Sequence, residues 1–512
     1  MSRFLALIIG LLAVVALPAV PAHAGAPDGT LSLRTASVKA GDPIELSYST
    51  PRPDSKNWIG LYTDPGNGPV DQKHVGPSLK WVYIPSGSGT ATLPTDGLEP
   101  GDYITYALAK DGYEWLAAPA KVKIASSEPL HFVTRAFTLR NARAKSPYTA
   151  TVKGTVRGAA SFRKADGPAW VRVGQDGTVT GTPPASASAK TATFTVEARN
   201  QAGESATATV GVRVRPPGGP LVPELTTMSW NLWHGGSQVK GGREKQLKFL
   251  LDRDVDVVGM QETSSTSAKE LAEALGWDHY QAGADLGIVS RYPIVSRGPL
   301  PSESGLAGIN AKIRLDDRHE VAVWNVHLGY TPYGGPYDAC FGKWSVERLM
   351  AREAESKRTR QIQEIMSAMS GDLADASRTP VLLTGDFNAP SHLDWTAETR
   401  KCGYDSVPWP TSVAPEQSGM KDSYRVAHPD PVADPGTTWS PIYTTFTGGY
   451  DHDGHKGEPE PQDRIDFVHY KGDLKVKSSD AVVEGTPAPI PNHRDNAWTS
   501  DHAAVLTTFA VR

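Results

Sequence analysis

Residues 381–390 read VLLTGDFNAP: an apolar run ending at Leu383, then Gly385, and then a carboxylate and a carboxamide two positions apart, Asp386 and Asn388. A short apolar run bounded by turn formers reads as a buried strand. On an extended chain residues two apart share a face, so Asp386 and Asn388 project to the same side. In α/β sheets ligands gather where strands end. The plain alternative is a turn rich in Asx residues that only leaves the sheet.

What tells against the plain alternative is the company this stretch keeps. Trp230-Asn231-Leu232-Trp233-His234 ends a strand read from TTMSWNLW, and Gly259-Met260-Gln261-Glu262 ends another read from VDVVGMQE. Asn325-Val326-His327-Leu328 closes VAVWNVHL, Asp463-Arg464-Ile465-Asp466-Phe467 starts a late strand, and Ser500-Asp501-His502 begins the last one. REKQLKFLLD and STSAKELAEALG read as helices. Residues 344–370 carry Val346, Met350, Ala354, Ile362, Ile365, Met366 and Met369 at helical spacing, closed by Gly371. Alternating strands and helices of this kind predict a layered α/β domain. Singly, each polar residue has a dull reading: Asn231 a turn former, Glu262 a helix-entry charge, His327 a core histidine, Asp466 a surface ion pair. Six such positions at strand ends, in this order, do not.

Together they resemble the endonuclease/exonuclease/phosphatase superfamily of divalent-metal phosphoesterases, over about residues 225–512. The resemblance implies a four-layer α/β sandwich, two mixed β-sheets flanked by helices, and hydrolysis of a phosphate ester by direct attack of an activated water. It implies Glu262 as principal metal ligand assisted by Asn231, with Asp501 on the same or a second ion, and Asn388 holding metal or phosphate oxygen. Asp386 matches the water-activating carboxylate and also touches the metal. His502 matches the imidazole on the phosphoryl group, with Asp466 fixing its tautomer. His327 matches a second histidine that contacts phosphate or protonates the leaving group. Mg²⁺ is the expected cofactor, as one or two ions, with Mn²⁺ or Ca²⁺ as alternatives, because phosphoryl oxygens call for a hard cation with oxygen ligands. The loops GYTPYGGPYDACFGKW and TGGYDHDGHKGEPEPQD flank site residues. His234, Tyr330, Tyr333, Tyr337 and His452 are the expected lining of a substrate pocket.

Upstream, the texture is different. Residues 1–24 combine Arg3, an apolar stretch from Phe4 to Leu17 and Ala22-His23-Ala24, the pattern of a secretory signal cleaved after Ala24. Residues 26–125 alternate through IELSYST, NWIGLYT, KWVYI and YITYALA between turns, which predicts a small β-sandwich. Residues 126–216 contain GTVTGTP and VEARNQAG, which resemble bacterial immunoglobulin-like modules. The expected architecture is therefore multidomain: two all-β Ig-like sandwiches, a stiff proline-rich linker at 217–223, and the α/β domain at 224–512. Cys340 and Cys402, the only cysteines, are either a disulfide stapling two loops or two buried thiols.

Charge narrows the substrate. From Glu224 onward there are 29 Lys and Arg against 40 Asp and Glu, net −11, whereas the first 223 residues hold 23 against 16, net +7. A nuclease tracks its polymer with cations, so an extracellular endonuclease or exonuclease is the second choice behind a small sugar-like or lipid-headgroup phosphate ester. A non-catalytic surface-binding protein is a remote third. The expected partners are the ester and, through the β modules, weak contact with cell wall or an anionic surface. After signal cleavage no membrane anchor is expected, and the protein is read as a secreted monomer. SVPWPTSV around Trp409 is the one faint candidate for an exposed apolar hairpin.

Overall fold

A computed structural model describes residues 27–98, 100–125, 129–159, 161–200, 203–302, 305–331 and 335–511. The signal expected at residues 1–24 and the pocket residue Tyr333 lie outside these. The chain forms two compact units, Met1–Pro129 and Leu130–Arg512.

In the first unit a three-stranded sheet and a five-stranded sheet enclose one core. The strand Ile44–Ser49 buries Ile44, Leu46 and Tyr48 while the residues between them face out, the alternation of a sheet wet on one side. The second unit begins with a β module whose core runs without a break into the α/β domain. Phe137, Val210 and Val212 belong to the same apolar cluster as Trp230, Leu247 and Leu271. Asp254 accepts from Thr138 and Arg213 of the module and from Arg291, at 2.7 Å, of the α/β domain. Asn141 Nδ2 donates to Leu221 O at 2.9 Å. The segment 217–223 thus connects two parts of one body.

Two six-stranded sheets make up the α/β domain. One runs, edge to edge, Asp278–Ala282, Leu286–Ser290, Val257–Gln261, Glu224–Asn231, Ala504–Val511, Leu474–Val482. The other runs Ile294–Ser302, Gly305–Arg314, Glu320–His327, Val381–Asp386, Asp466–Lys471, Lys421–Asp422. Each is mixed, with one parallel pair at its centre: Glu224–Asn231 beside Val257–Gln261, and Glu320–His327 beside Val381–Asp386. Val257 and Ile288 of the first sheet share a core with Ile309, Val323 and Leu382 of the second. Helices Gly242–Asp252 and Ser267–Leu275 cover residues such as Trp230 and Met260, and helix Lys357–Ala374 covers Trp324 and Leu383. Strands buried on both faces explain the unbroken apolar runs VDVVGM and VLL.

A polar stitch fixes the two sheets near their active ends. Asn325 Oδ1 accepts from Gln261 Nε2 at 2.7 Å and Thr384 Oγ1 at 3.0 Å, and its Nδ2 donates to Met260 O and Gly287 O. Gly259 is where that stitch leaves no room, since a Cβ there would meet Thr384 Oγ1 at 2.0 Å. Gly385 answers the same need between neighbours in one sheet: its Cβ would stand 2.4 Å from Val326 Cγ2.

Two local expectations are corrected. The periodic stretch 344–370 is two helices, Val346–Glu355 and Lys357–Ala374, broken at Ser356, which is extended at φ −74° and ψ 146°. Ser356 Oγ and Thr359 Oγ1 both donate to Glu353 O, offering the backbone a turn in place of a helical bond. The second helix also passes Gly371 and ends at Ala374. Trp409 of SVPWPTSV is fully buried, packed with Trp395 and Val407, so that segment presents no apolar hairpin. Cys340 and Cys402 are joined in a disulfide. No helix among the described residues is long and apolar enough to cross a membrane.

Candidate active site

Strand register assembles half of the site. His327, Asp386 and Asp466 are direct cross-strand partners on three adjacent strands of the second sheet, so their side chains share one end of it. The other half comes from the facing sheet, where Asn231 pairs with Gln261 and Glu262 follows. Beyond the strand ends the chain turns sharply. Glu262 and Asn388 have φ of 54° and 49°, and Trp233 and His234 have φ of 52° and 53°. Left-handed non-glycine residues are uncommon and cluster where function holds them.

Asp386 is the hub. Its Oδ1 accepts from Asn388 N at 2.8 Å, and its Oδ2 lies 3.1 Å from Asn231 Nδ2, 3.5 Å from His327 Nε2 and 3.8 Å from His502 Nε2. The same Asn231 Nδ2 reaches Glu262 Oε1 at 3.2 Å, so one amide bridges carboxylates from both sheets. Asn231 Oδ1 is turned away and accepts from Trp233 N at 2.9 Å; the sequence-based expectation had that carbonyl beside a metal. Asn388 Nδ2 is held by Leu328 O at 2.9 Å.

Each imidazole has its own carboxylate. His502 Nδ1 lies 2.9 Å from Asp466 Oδ2, and His327 Nδ1 lies 3.0 Å from Asp285 Oδ1. Burial pulls the His327 pKa down, but the Asp285 hydrogen bond and the charges of Asp386, Asp285 and Glu262 outweigh it and lift it to about 9. For His502, burial is likewise outweighed by Asp466 and Asp386, and its pKa stands well above the usual imidazole range. Asp501, seated by the Ser500 Oγ to Asn231 O bond, is pushed up to about 7 by burial and by Glu262 and Asp386. Its Oδ1 is buried without a hydrogen-bond partner among the described residues. Asp386, Asp466 and His502 each bring a ligand atom within 4.8 Å of the others. In that trio His502 and Asp466 are already bonded to each other, which suits proton handling better than metal binding.

A cavity of about 600 Å³ opens onto these groups. Glu262, His327, Asp386, Asn388, Asp501, His502, His234, Tyr330 and Tyr337 line it. Asn231 and Asp466 stand behind that lining. His452 does not line it: the ring is buried, with Nε2 bonded to Asp338 Oδ1 at 2.8 Å, and it pins its loop to the helix that carries Tyr337. Arg464 is likewise structural, bound to Asp394 and Asp422. Sequence reasoning missed Asp285, Trp439, Tyr443, Phe446 and Glu460, all of which line the cavity. Asp285 directly precedes the apolar strand Leu286–Ser290, the same signal that marked the other strand-end residues.

Fold and site place carboxylates, imidazoles and amides at the joined ends of two sheets, around one cavity. The chain belongs to the Endonuclease/Exonuclease/phosphatase family, whose model matches residues 228–502, and it is a phosphoric ester hydrolase. A model described as Putative Ig domain matches residues 131–215. An uncharacterized protein of Caenorhabditis elegans is 35% identical over 297 residues, 56% of this chain and 91% of that protein. Among solved structures, truncated TDP2 from C. elegans is 16% identical, covering 56% of this chain and 98% of its own, with a TM-score of 0.37. A family protein from Bacteroides thetaiotaomicron is 18% identical over 56% and 98%, with a TM-score of 0.35.

Proposed function

We propose that the chain is a secreted, divalent-metal-dependent phosphoesterase that hydrolyses a diester or monoester of a small, sugar-like or lipid-headgroup substrate. The observation that carries this reading is the convergence of Glu262, Asp386, Asp501, His327 and His502 on one solvent-open cavity. With it go the finer expectations from the sequence: a four-layer sandwich, two Ig-like modules, a monomer, and weak contact of the modules with cell wall or an anionic surface.

The residues present fit a hard cation. Three carboxylates meet without a Lys or Arg among the described lining residues, and Asp501 Oδ1 is a buried acceptor with nothing to accept from. Glu262, Asp501 and Asp386, with Asn388, would hold Mg²⁺, or Mn²⁺ or Ca²⁺ in its place, as one or two ions. Asn231, whose carbonyl is taken by Trp233 N, would steady Glu262 and Asp386 through its Nδ2 instead of binding the ion. When bound, the metal neutralises phosphoryl charge and lowers the pKa of its water.

The protein's own groups do the rest. Asp386 Oδ2, facing both imidazoles, positions the attacking water. His502, kept protonated by Asp466, donates to a phosphoryl oxygen as charge develops there. His327, whose Nδ1–H donates to Asp285, carries an Nε2 proton to give to the leaving oxygen. A nuclease of this fold needs a cationic track, and no Lys or Arg lines the cavity among the described residues; that supports the small substrate over the polymer. The test is turnover of plasmid DNA, RNA, bis(4-nitrophenyl) phosphate, monoesters, inositol phosphates and phospholipids, with and without chelator. Activity indifferent to chelation, or DNA preferred by a wide margin, contradicts the reading.

A further inference from the structure

The cavity is larger than a phosphoryl group needs, and its far side has a chemistry of its own. Trp439 leads from one region to the other: its ring lies edge-on to His502 at 5.1 Å, and its Nε1 donates to Glu460 Oε1 at 2.9 Å. Tyr337 OH binds the same Glu460 oxygen at 2.6 Å. Both donors thus fall on Oε1, and Glu460 lines the cavity. Around this carboxylate stand stacked rings, Tyr443 on Trp439 at 5.2 Å and Tyr450 on Tyr337 at 5.4 Å, with Phe446 4.8 Å from Tyr337.

Among the described residues Glu460 has no cationic partner. It is 5% exposed, it forms no ion pair, and burial together with Asp463 pushes its carboxyl above the ordinary range. Five carboxylates line the cavity (Glu262, Asp285, Asp386, Glu460, Asp501), and among the described residues its only basic lining groups are histidines. A divalent ion held at the strand ends would offset part of that charge there and would leave the aromatic end anionic. Aromatic faces attract cations through their quadrupoles, and most strongly where water is excluded. An uncharged ring would also stack there, but it would leave the Glu460 carboxylate buried and unpaired, which is costly.

We propose that the Trp439, Tyr443, Tyr337, Phe446, Tyr450 and Glu460 box is a subsite for an alkylammonium group, so that the substrate is a phosphate ester carrying a positive charge on one of its alcohols. This rests on the phosphoesterase reading, and it extends that reading to the group that selects the substrate. The subsite accommodates a quaternary or a primary ammonium, and the two are separated by experiment.

The test is calorimetric titration of the full chain, at constant ionic strength, with choline chloride, ethanolamine hydrochloride and the uncharged carbon isostere 3,3-dimethylbutan-1-ol. Choline and the isostere have the same shape, so their difference isolates charge and needs no variant. The expected result is binding of at least one ammonium roughly tenfold or more tighter than the isostere, with Glu460→Gln removing most of that margin. Choline above ethanolamine assigns a quaternary group, and the reverse order a primary one. Equal binding of cation and isostere, or no binding of either ammonium, overturns the subsite, as does a folded Glu460→Gln protein that retains the full margin. Metal-dependent hydrolysis of bis(4-nitrophenyl) phosphate by the wild type reports on the phosphoesterase reading separately.

Discussion

Asp285 holds His327 with both carboxylate oxygens, Oδ1 at 3.0 Å and Oδ2 at 3.1 Å from Nδ1, and Oδ1 also accepts the Glu262 backbone N–H at 3.0 Å. One side chain therefore orients the candidate acid and the turn that presents the candidate metal ligand. Asp285→Asn keeps the shape and loses the charge. The expected outcome is a fall in kcat of about ten- to a hundredfold with KM changed little. An alkyl ester should suffer more than a 4-nitrophenyl ester, because 4-nitrophenolate leaves without a proton. An equal loss on both ester classes would assign Asp285 to scaffolding alone.

Metal binding is testable without catalysis. A ligand that binds only the folded chain raises its stability by about 2.7 kcal/mol at a hundred times its Kd. Mg²⁺ or Mn²⁺ should raise the thermal midpoint of the wild type, and chelator should abolish both that increment and turnover. Glu262→Gln should lose the increment and at least about a hundredfold in activity. An unchanged increment in the variant would move the metal to other ligands.

The disulfide carries a prediction about the pocket. Cys340 lies on the helix Gly335–Cys340 three residues after Tyr337, and Cys402 anchors the turn whose carbonyl accepts Lys343 Nζ at 3.2 Å. The bond closes a loop 62 residues long, so its loss in Cys340→Ser/Cys402→Ser removes roughly 4 kcal/mol by chain entropy. The helix that carries Tyr337 then loses one of its anchors, and KM should rise severalfold while kcat holds. A variant with wild-type KM and lowered stability would confine the disulfide to folding.

How much of this was legible beforehand depended on how local the signal was. Glu262, His327, Asp386 and Asp501 could be read because each adjoins an apolar strand, and strand ends are where α/β sheets put ligands. Asp285 carries the same mark before LGIVS, but it belongs to none of the motifs. Trp439, Tyr443 and Glu460 had no local mark at all; they lie on irregular chain between strands, and only long-range contacts to Tyr337 and His502 bring them to the cavity. His452 illustrates the converse: a histidine in a loop beside the site that folding turned inward to Asp338. The break at Ser356 was hidden because the apolar period continues on both sides of it, while Ser356 and Thr359 redirect the backbone.

Acid sensitivity should reside partly in a histidine outside the candidate active site. His469 is buried between Phe387 and Phe467, at ring distances of 5.4 and 5.3 Å, with no hydrogen-bond partner for Nδ1 among the described residues. Burial, with help from Arg464 and His392, lowers its pKa from an ordinary 6.5 to about 4, against the opposing pull of Asp422 and Glu416. The folded form thus refuses a proton that the unfolded chain accepts. Above pH 6.5 this group costs nothing. Between pH 6.5 and about 4 stability falls as the unfolded state protonates, and below about 4 the loss levels off at roughly 3 kcal/mol. His469→Phe preserves the aromatic stack and removes the titration. Urea unfolding of both proteins at pH 7 and pH 5 should show the wild type losing about 1.5–2 kcal/mol more than the variant over that interval. The difference between the two proteins cancels every other titrating group, so parallel losses would mean that His469 is protonated, and paired, in the native state.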